Sequence, residues 1–478
     1  MIPVTELRKI HLTGLLLFFV VLTLSTYINR FPTGDDAWFG EQSYWLAKEG
    51  IIRSEFFSGI VGWERQILVS HKLFLAFGAA VIHFFGYDLP ILKISGLLFF
   101  LILVGQIMFY IKKSDKTYAL HYALAIAVLI FSNRLLIKMS FENRPEMMVA
   151  AFGFGSFLML NYHNKSWPGA FLAGILGGLA FLTHLNGCIY VIAGFACLCI
   201  LKAPFKAILS FSLGAAITCS LYFIDVFMAH NGLETWWFQF RNDPATQASF
   251  DLYGKVIQLI SYPRLFFQSP EQLALSLLLT YLLWKQRKLI HLLPRFLKVY
   301  SLALLVSFWL ITKANAGMYL VLFIPFMLIL TFELYRLEPV RHNHLRWLLG
   351  LYFVIGIFGY VQLIRKNISL GYLPKTYENL EKILPKDKIG VVPLTFFYNE
   401  YERFQTLRTH ENYKLYCHKV NMTPDGFGRW AKASNAGFIL MDYQFNPEKF
   451  FPPASDSDIE NYHRAYFDGR FAVFLLVE

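Results

Sequence analysis

At 478 residues, 56% hydrophobic and 18% aromatic with only 16% charged side chains, the chain is too apolar for a soluble globular protein and reads as a polytopic membrane protein. Its formal net charge of +12 does not point to nucleic acid, because Lys and Arg cluster in short connections between apolar runs rather than on one soluble face. The five cysteines, Cys188, Cys197, Cys199, Cys219 and Cys417, lie mostly inside apolar stretches and lack metal-ligand spacing, which argues against a disulfide framework and a zinc site.

Arg8, Lys9 and His11 precede an apolar run over 12–27, and no small-residue cleavage site follows, so the run is predicted as an uncleaved first helix. Bilayer-length spans are then predicted at 10–28, 89–111, 117–134, 147–162, 168–184, 187–202, 206–229, 271–285, 298–313, 316–335 and 346–364, about eleven in all. The apolar stretch 73–85 is too short to cross and is assigned to the membrane interface. With a cytoplasmic N-terminus, the basic connections around Lys112, Lys165, Lys202, Lys285 and Arg336 then fall on one side, as the positive-inside rule asks. Counting 73–85 as a span would put the Lys112, Lys113, Lys116 cluster outside.

This topology places 29–88, 134–146, the long loop 230–270 and everything after about 365 on the outer face. Within the first outer loop a helix is predicted over 36–48, with Trp38, Tyr44 and Trp45 suited to lying flat on the membrane. After about 365 charge and turn residues increase. KDKIGVVPL, AGFILMDY and RFAVFLLVE read as buried strands and TYENLEKILP as an amphipathic helix. The fold class is thus mainly α, a transmembrane domain over 1–365, with a small extracytoplasmic α/β domain over 366–478.

Polar chemistry gathers at span ends on the outer side. Asp35 and Asp36 follow the first span in TGDDAWFGEQ; Glu142, Arg144 and Glu146 occupy SFENRPEMM; His184 and Asn186 end a span in FLTHLNG; Lys313 and Asn315 end another. Each has an ordinary structural explanation. Asp at a helix start caps free N–H groups, Pro145 and Glu146 suit a first helical turn, a histidine at a helix end is commonly a hydrogen-bonding group, and a lysine there snorkels. Two adjacent acids exceed what one cap requires, however, so one is free for proton abstraction. A guanidinium among acids suits phosphate or sugar binding. There is no GxxxxGK[ST] loop, no GxGxxG after a soluble strand and no HExxH. Outward-facing chemistry without a nucleotide site calls for an activated substrate carried in the lipid.

The order GDDAWFGEQ, interfacial helices, a basic inside loop, RPE opening a later span and then FLTHLNG resembles the GT-C superfamily of polytopic glycosyltransferases, in particular the branch of protein O-mannosyltransferases and the lipid A aminoarabinose transferase. That resemblance covers the first two hundred residues best. It implies inverting transfer of a hexosyl or pentosyl group from a polyprenyl-phosphate donor to a lipid, glycan or protein acceptor, at the outer face of the inner (plasma) membrane. It assigns catalysis to Asp35 and Asp36, with Asp35 matching the family's base and Asp36 standing where Glu is commoner, so that the division of labour between the two stays open. Substrate binding falls to Glu142, Arg144, Glu146, His184, Asn186 and Lys313, with His184 placed for the carrier phosphate. Metal use varies in the superfamily, so no metal ligand is carried over and the cofactor stays unknown. A transporter and a non-enzymatic envelope assembly protein remain as alternatives. The first is disfavoured by nearly charge-free mid-span positions, Lys93 and Asp225 being the exceptions.

Overall fold

The computed structural model describes residues 4–243, 252–313, 315–338, 343–370, 374–396, 404–417, 421–445, 447–455 and 458–477. Helix α1 (Val4–Tyr27) leads into a first loop that carries α2 (Gly34–Glu49) and α3 (Lys72–Phe85) before α4 (Leu89–Ser114). Next come α5 (Ala119–Phe131), the short α6 (Arg134–Met139), α7 (Glu146–His163), α8 (Trp167–Thr183), α9 (Cys188–Ile200) and α10 (Phe205–Ser220). Four further short helices, α11 (Ile224–Met228), α12 (Gly232–Asn242), α13 (Leu252–Ile260) and α14 (Arg264–Phe267), precede α15 (Pro270–Lys285), α16 (Arg295–Ile311), α17 (Ile324–Leu337) and α18 (Asn343–Leu370).

Among the described residues, four helical stretches are long and apolar enough to cross a membrane by length and composition alone: Lys9–Tyr27, Leu89–Ser114, Phe205–Met228 and Asn343–Leu370. The eleven predicted spans are therefore not all continuous membrane-length helices, and the breaks have visible causes. The predicted 117–134 segment ends at Phe131 because the Asn133 side chain accepts the Leu136 N–H at 3.0 Å and starts α6 as a new helix. The predicted 316–335 segment opens with a tight 3-10 stretch, Gly317–Leu322, before α17 begins with Pro325 in its first turn. Helix α8 packs between α7 and α10. A Cβ at Gly174 would lie 2.1 Å from the Phe211 carbonyl oxygen, so this backbone approach admits only glycine, as in other small-residue helix contacts in lipid.

Helix α2 starts and ends near the predicted limits, but it does not lie flat against lipid. Tyr44 and Trp45 are 5% and 4% exposed, packed in the continuous core with residues of α3 and of the first loop. What permits this burial is Glu41, whose carboxylate accepts from Trp45 Nε1 (3.3 Å), Ser54 Oγ (2.6 Å), Glu55 N (2.6 Å) and Phe56 N (3.1 Å). Burial pushes this carboxyl up to about 7, against the lowering effect of those hydrogen bonds. Glu41→Leu strands several buried donors at about 1–3 kcal/mol each. It is expected to destabilise the protein by more than about 3 kcal/mol in denaturation of the detergent-solubilised chain, whereas Glu41→Gln, which keeps an acceptor oxygen, loses much less. Equal loss in both variants would mean that the charge, not the acceptor, matters.

Beyond α18 the chain forms α19 (Pro374–Glu381), β1 (Ile389–Val392), β2 (Thr406–Thr409), α20 (His410–Tyr416), α21 (Pro424–Ala433), β3 (Ala436–Asp442), β4 (Asp458–Ile459), β5 (Tyr462–Phe467) and β6 (Phe471–Leu476). The six strands make one sheet in the order β2-β1-β3-β6-β5-β4, parallel across β2-β1-β3 and antiparallel beyond. The three predicted strands are β1, β3 and β6, and the predicted helix overlaps α19. Period-two alternation gives the sheet two apolar faces. Phe438, Leu440, Phe471 and Val473 join the core shared with the membrane helices and the first loop, while Ile439, Met441, Ala472 and Phe474 pack with Tyr413 of α20 and Phe427 of α21. The sheet domain is tied to the first loop through Thr409 N–H and Asn412 Nδ2, which both donate to the Phe56 carbonyl (3.3 and 3.4 Å), and through Asn412 Nδ2 to Ser58 O at 2.9 Å.

Candidate active site

Thr33 caps α2 reciprocally: its hydroxyl accepts the Asp36 N–H (3.2 Å) while Asp36 Oδ2 accepts the Thr33 N–H (2.8 Å). Successive helical residues point about 100° apart, so fixing Asp36 inward turns Asp35 outward. Asp36 is fully buried. Its Oδ2 is 3.0 Å from the equally buried Lys93 Nζ, and its Oδ1 accepts the Asn143 N–H at 2.6 Å. Lys93 also donates to the Phe31 carbonyl at 2.9 Å. Both mid-span charges that stood out in the sequence are thereby accounted for, since Asp225 pairs with Lys72 of α3.

The Asn143 contact holds the loop between α6 and α7 against α2. The loop fits because residue 96 of α4 is glycine, where a Cβ would stand 2.8 Å from the Glu142 carbonyl oxygen. Arg144, next in this loop, spans two acids: Nε and Nη2 fork onto Glu146 at 3.1 and 2.7 Å, and Nη1 bonds Asp35 Oδ2. The Asp35 side chain is 47% exposed, against 12% for Arg144 and 3% for Glu146. Asp35 is thus the accessible carboxylate of the cluster.

Glu142 is buried, its Oε1 has no hydrogen-bond partner, and burial pushes its carboxyl up to about 7, with Lys138, Arg30 and Lys93 pulling it down and Asp36 pushing it further up. Glu142 and Arg144 line one cleft of about 400 Å³. Among the described residues, no three His, Cys, Asp or Glu side chains gather so as to hold a metal ion.

His184 lies in the connection between α8 and α9, stacked on His71 with ring centres 4.3 Å apart; its Nδ1 accepts the Asn186 N–H at 2.9 Å. The Tyr319 ring meets His184 edge-on, with ring centres 6.0 Å apart. Deep placement pushes both histidines below their ordinary range, His184 to about 3 with the Arg144 charge adding. At neutral pH His184 is therefore an uncharged ring, not the cation the carrier phosphate was expected to meet. Lys313 donates to the Phe240 carbonyl at 3.0 Å and lies over the Phe240 ring, which ties it to the end of α12 rather than to Asp35 and Arg144. The folded protein refuses protons that the unfolded chain accepts below about pH 6.5, so the histidine pair contributes stability above that pH, lost as pH falls toward 3. The unfolding temperature is expected to drop between pH 6.5 and 4, and to drop less in His71→Phe, which keeps the stack. An identical drop in both proteins would exclude a neutral buried pair.

The structure brings Asp35, Arg144 and Glu146 into direct contact, seats Asp36 and Glu142 beside them, and places His184, bonded to the Asn186 N–H, against Tyr319. Lys93, Asn143, His71 and Tyr319 were not singled out as site residues. Lys93 alone carried a signal, since a lone cation in an apolar helix demands a partner.

The fold is similar to that of several solved glycosyl-transferring proteins, all at low sequence identity. Among solved structures it is similar to ArnT from Cupriavidus metallidurans bound to undecaprenyl phosphate, 13% identical with a TM-score of 0.59, covering 97% of this chain and 98% of that one. It is also similar to the oligosaccharyltransferase of Archaeoglobus fulgidus tethered with an acceptor peptide containing the NVT sequon, 11% identical with a TM-score of 0.54, covering 90% of this chain and 69% of that one. A second structure from that archaeon, AglB in complex with an inhibitory peptide and a dolichol-phosphate, is 12% identical with a TM-score of 0.50, covering 91% and 70%. No protein-family model matches this sequence, and no curated protein does.

Proposed function

We propose that this chain is a membrane glycosyltransferase that moves a sugar from a polyprenyl-phosphate donor to an envelope acceptor at the extracytoplasmic face, with inversion. One observation carries this reading: in a cluster of otherwise buried acids, Asp35 alone keeps an accessible carboxylate, and the arginine that holds it also lines a cleft. The donor class is favoured by the two similar structures that hold undecaprenyl phosphate and a dolichol-phosphate.

Asp35 takes the proton of an acceptor hydroxyl within hydrogen-bond reach. The oxygen attacks the anomeric carbon from the face opposite the lipid phosphate, a new C–O bond forms, and the old C–O bond breaks with its electron pair leaving on the phosphate. Arg144, held in place by its fork onto Glu146, keeps Asp35 aimed at the acceptor hydroxyl. The proton stays on Asp35 until product release.

In this reading the helices over 1–365 cross the membrane about eleven times and the domain over 366–478 sits outside, above the site. The test supplies purified chain with a radiolabelled polyprenyl-phosphate sugar and follows release of the polyprenyl phosphate, alongside mass spectrometry of envelope extracts with and without the gene. No release and no missing envelope sugar would reject the reading. For the topology, single cysteines near 35 and in the C-terminal domain are expected to label from outside and one in the 112–116 loop only after permeabilisation; the reverse pattern would overturn the orientation.

A further inference from the structure

The cleft beside Arg144 is formed by four parts of the chain: α6, the α6–α7 loop, the start of α15 and the 3-10 stretch ahead of α17. Its volume of about 400 Å³ lies within the range of small-ligand sites, roughly 300–1,000 Å³. Its cations are largely spoken for. Arg144 is bonded to Asp35 and Glu146, and Arg134 behind the wall pairs with Glu271 at 2.6 Å. Lys138 makes no ion pair among the described residues, and it shares the cleft with the carboxylate of Glu142. Positive charge therefore does not exceed negative charge around this space, which disfavours a phosphate as its occupant.

What the cleft does offer is hydrogen-bonding capacity without a protein partner. Glu142 Oε1 is buried and unpartnered, a state that costs free energy unless something fills it. The exposed Gln268 amide and the Lys138 ammonium border the same space. Carboxylate, amide and ammonium together match groups that both donate and accept in a small volume, as neighbouring hydroxyls do. Met139 and Met318 supply an apolar floor for C–H faces.

We propose that this cleft holds a hydroxyl-rich sugar residue of the acceptor, with Glu142 hydrogen-bonded to one of its ring hydroxyls. This rests on the transferase reading above and narrows its acceptor to a glycan. Arg144, shared by the cleft and by Asp35, sets the bound sugar beside the base.

The experiment is saturation-transfer NMR on the full detergent-solubilised chain, with methyl α-D-mannopyranoside and methyl β-D-glucopyranoside as probes. Saturation of at least one glycoside is expected in the wild type, lost in Glu142→Leu and reduced severalfold in Gln268→Ala, a change at an exposed position that does not threaten folding. Neither inorganic phosphate nor a Ser/Thr-containing pentapeptide is expected to displace the glycoside. No saturation in the wild type, saturation unchanged in both variants, or displacement by phosphate or peptide would overturn the proposal. The donor-release assay separates this from the transferase reading: release without glycoside binding rejects the cleft assignment alone, and glycoside binding without release rejects the transferase reading alone.

Discussion

Asp35→Asn is expected to lose about a hundredfold to ten-thousandfold of sugar transfer, the range a positioned general base contributes, while inserting and folding normally. The asparagine has the shape of the aspartate and no basicity. Its structural cost is small because the Asp35 carboxylate is 47% exposed and its link to Arg144 is one of two that hold the guanidinium. Ion pairs with that much solvent access are worth about 0–1 kcal/mol. Arg144 stays forked on Glu146, so the cleft wall survives. The measurement is transfer by monodisperse protein at saturating donor, next to its unfolding temperature. Near-normal transfer by Asp35→Asn would remove the base from this loop.

Asp36→Asn is expected to do the opposite, keeping more activity per folded molecule and losing far more stability. An amide oxygen still caps α2, but Lys93, 1% exposed, is left as an uncompensated charge inside the protein. Breaking a buried pair from one side costs about 3–5 kcal/mol. Removing both charges in Asp36→Asn/Lys93→Met is expected to recover much of that loss, since a buried pair replaced by neutral groups is often near neutral in stability. Unfolding of the two single variants and the double variant measures the coupling directly. Additive losses would mean that the pair is not one unit, and inactive, fully stable Asp36→Asn would exchange the roles of the two acids.

The division of labour between these neighbours was only half legible in the chain. GDD at the end of an apolar run announces a cap and a spare acid, yet which acid turns inward depends on Thr33 taking the cap and on Lys93 waiting 57 positions later. The same holds for His184. A histidine at a helix end reads as a candidate cation, and only its deep burial, with the Arg144 charge nearby, makes it neutral. Lys313 shared the expected depth but was drawn to Phe240 by a backbone carbonyl.

Apolar run length and the strand and helix patterns after about 365, which are local along the chain, announced by themselves the long apolar helices and the α/β domain that follows them. Motif order pointed to a fold that is similar to solved structures such as ArnT. The helix breaks at Asn133 and Pro325 are local, a cap bond to Leu136 and a first-turn proline; the tertiary structure decided what each piece packs against. It also decided that α2 is buried rather than lipid-facing, since four donors must converge on Glu41 before its carboxylate can leave water, and three of them come from Ser54, Glu55 and Phe56. Charge pairs such as Asp36 with Lys93 belong to the same class. Burying an ion is unfavourable until its partner arrives from a distant segment, and no local pattern records which segment that is.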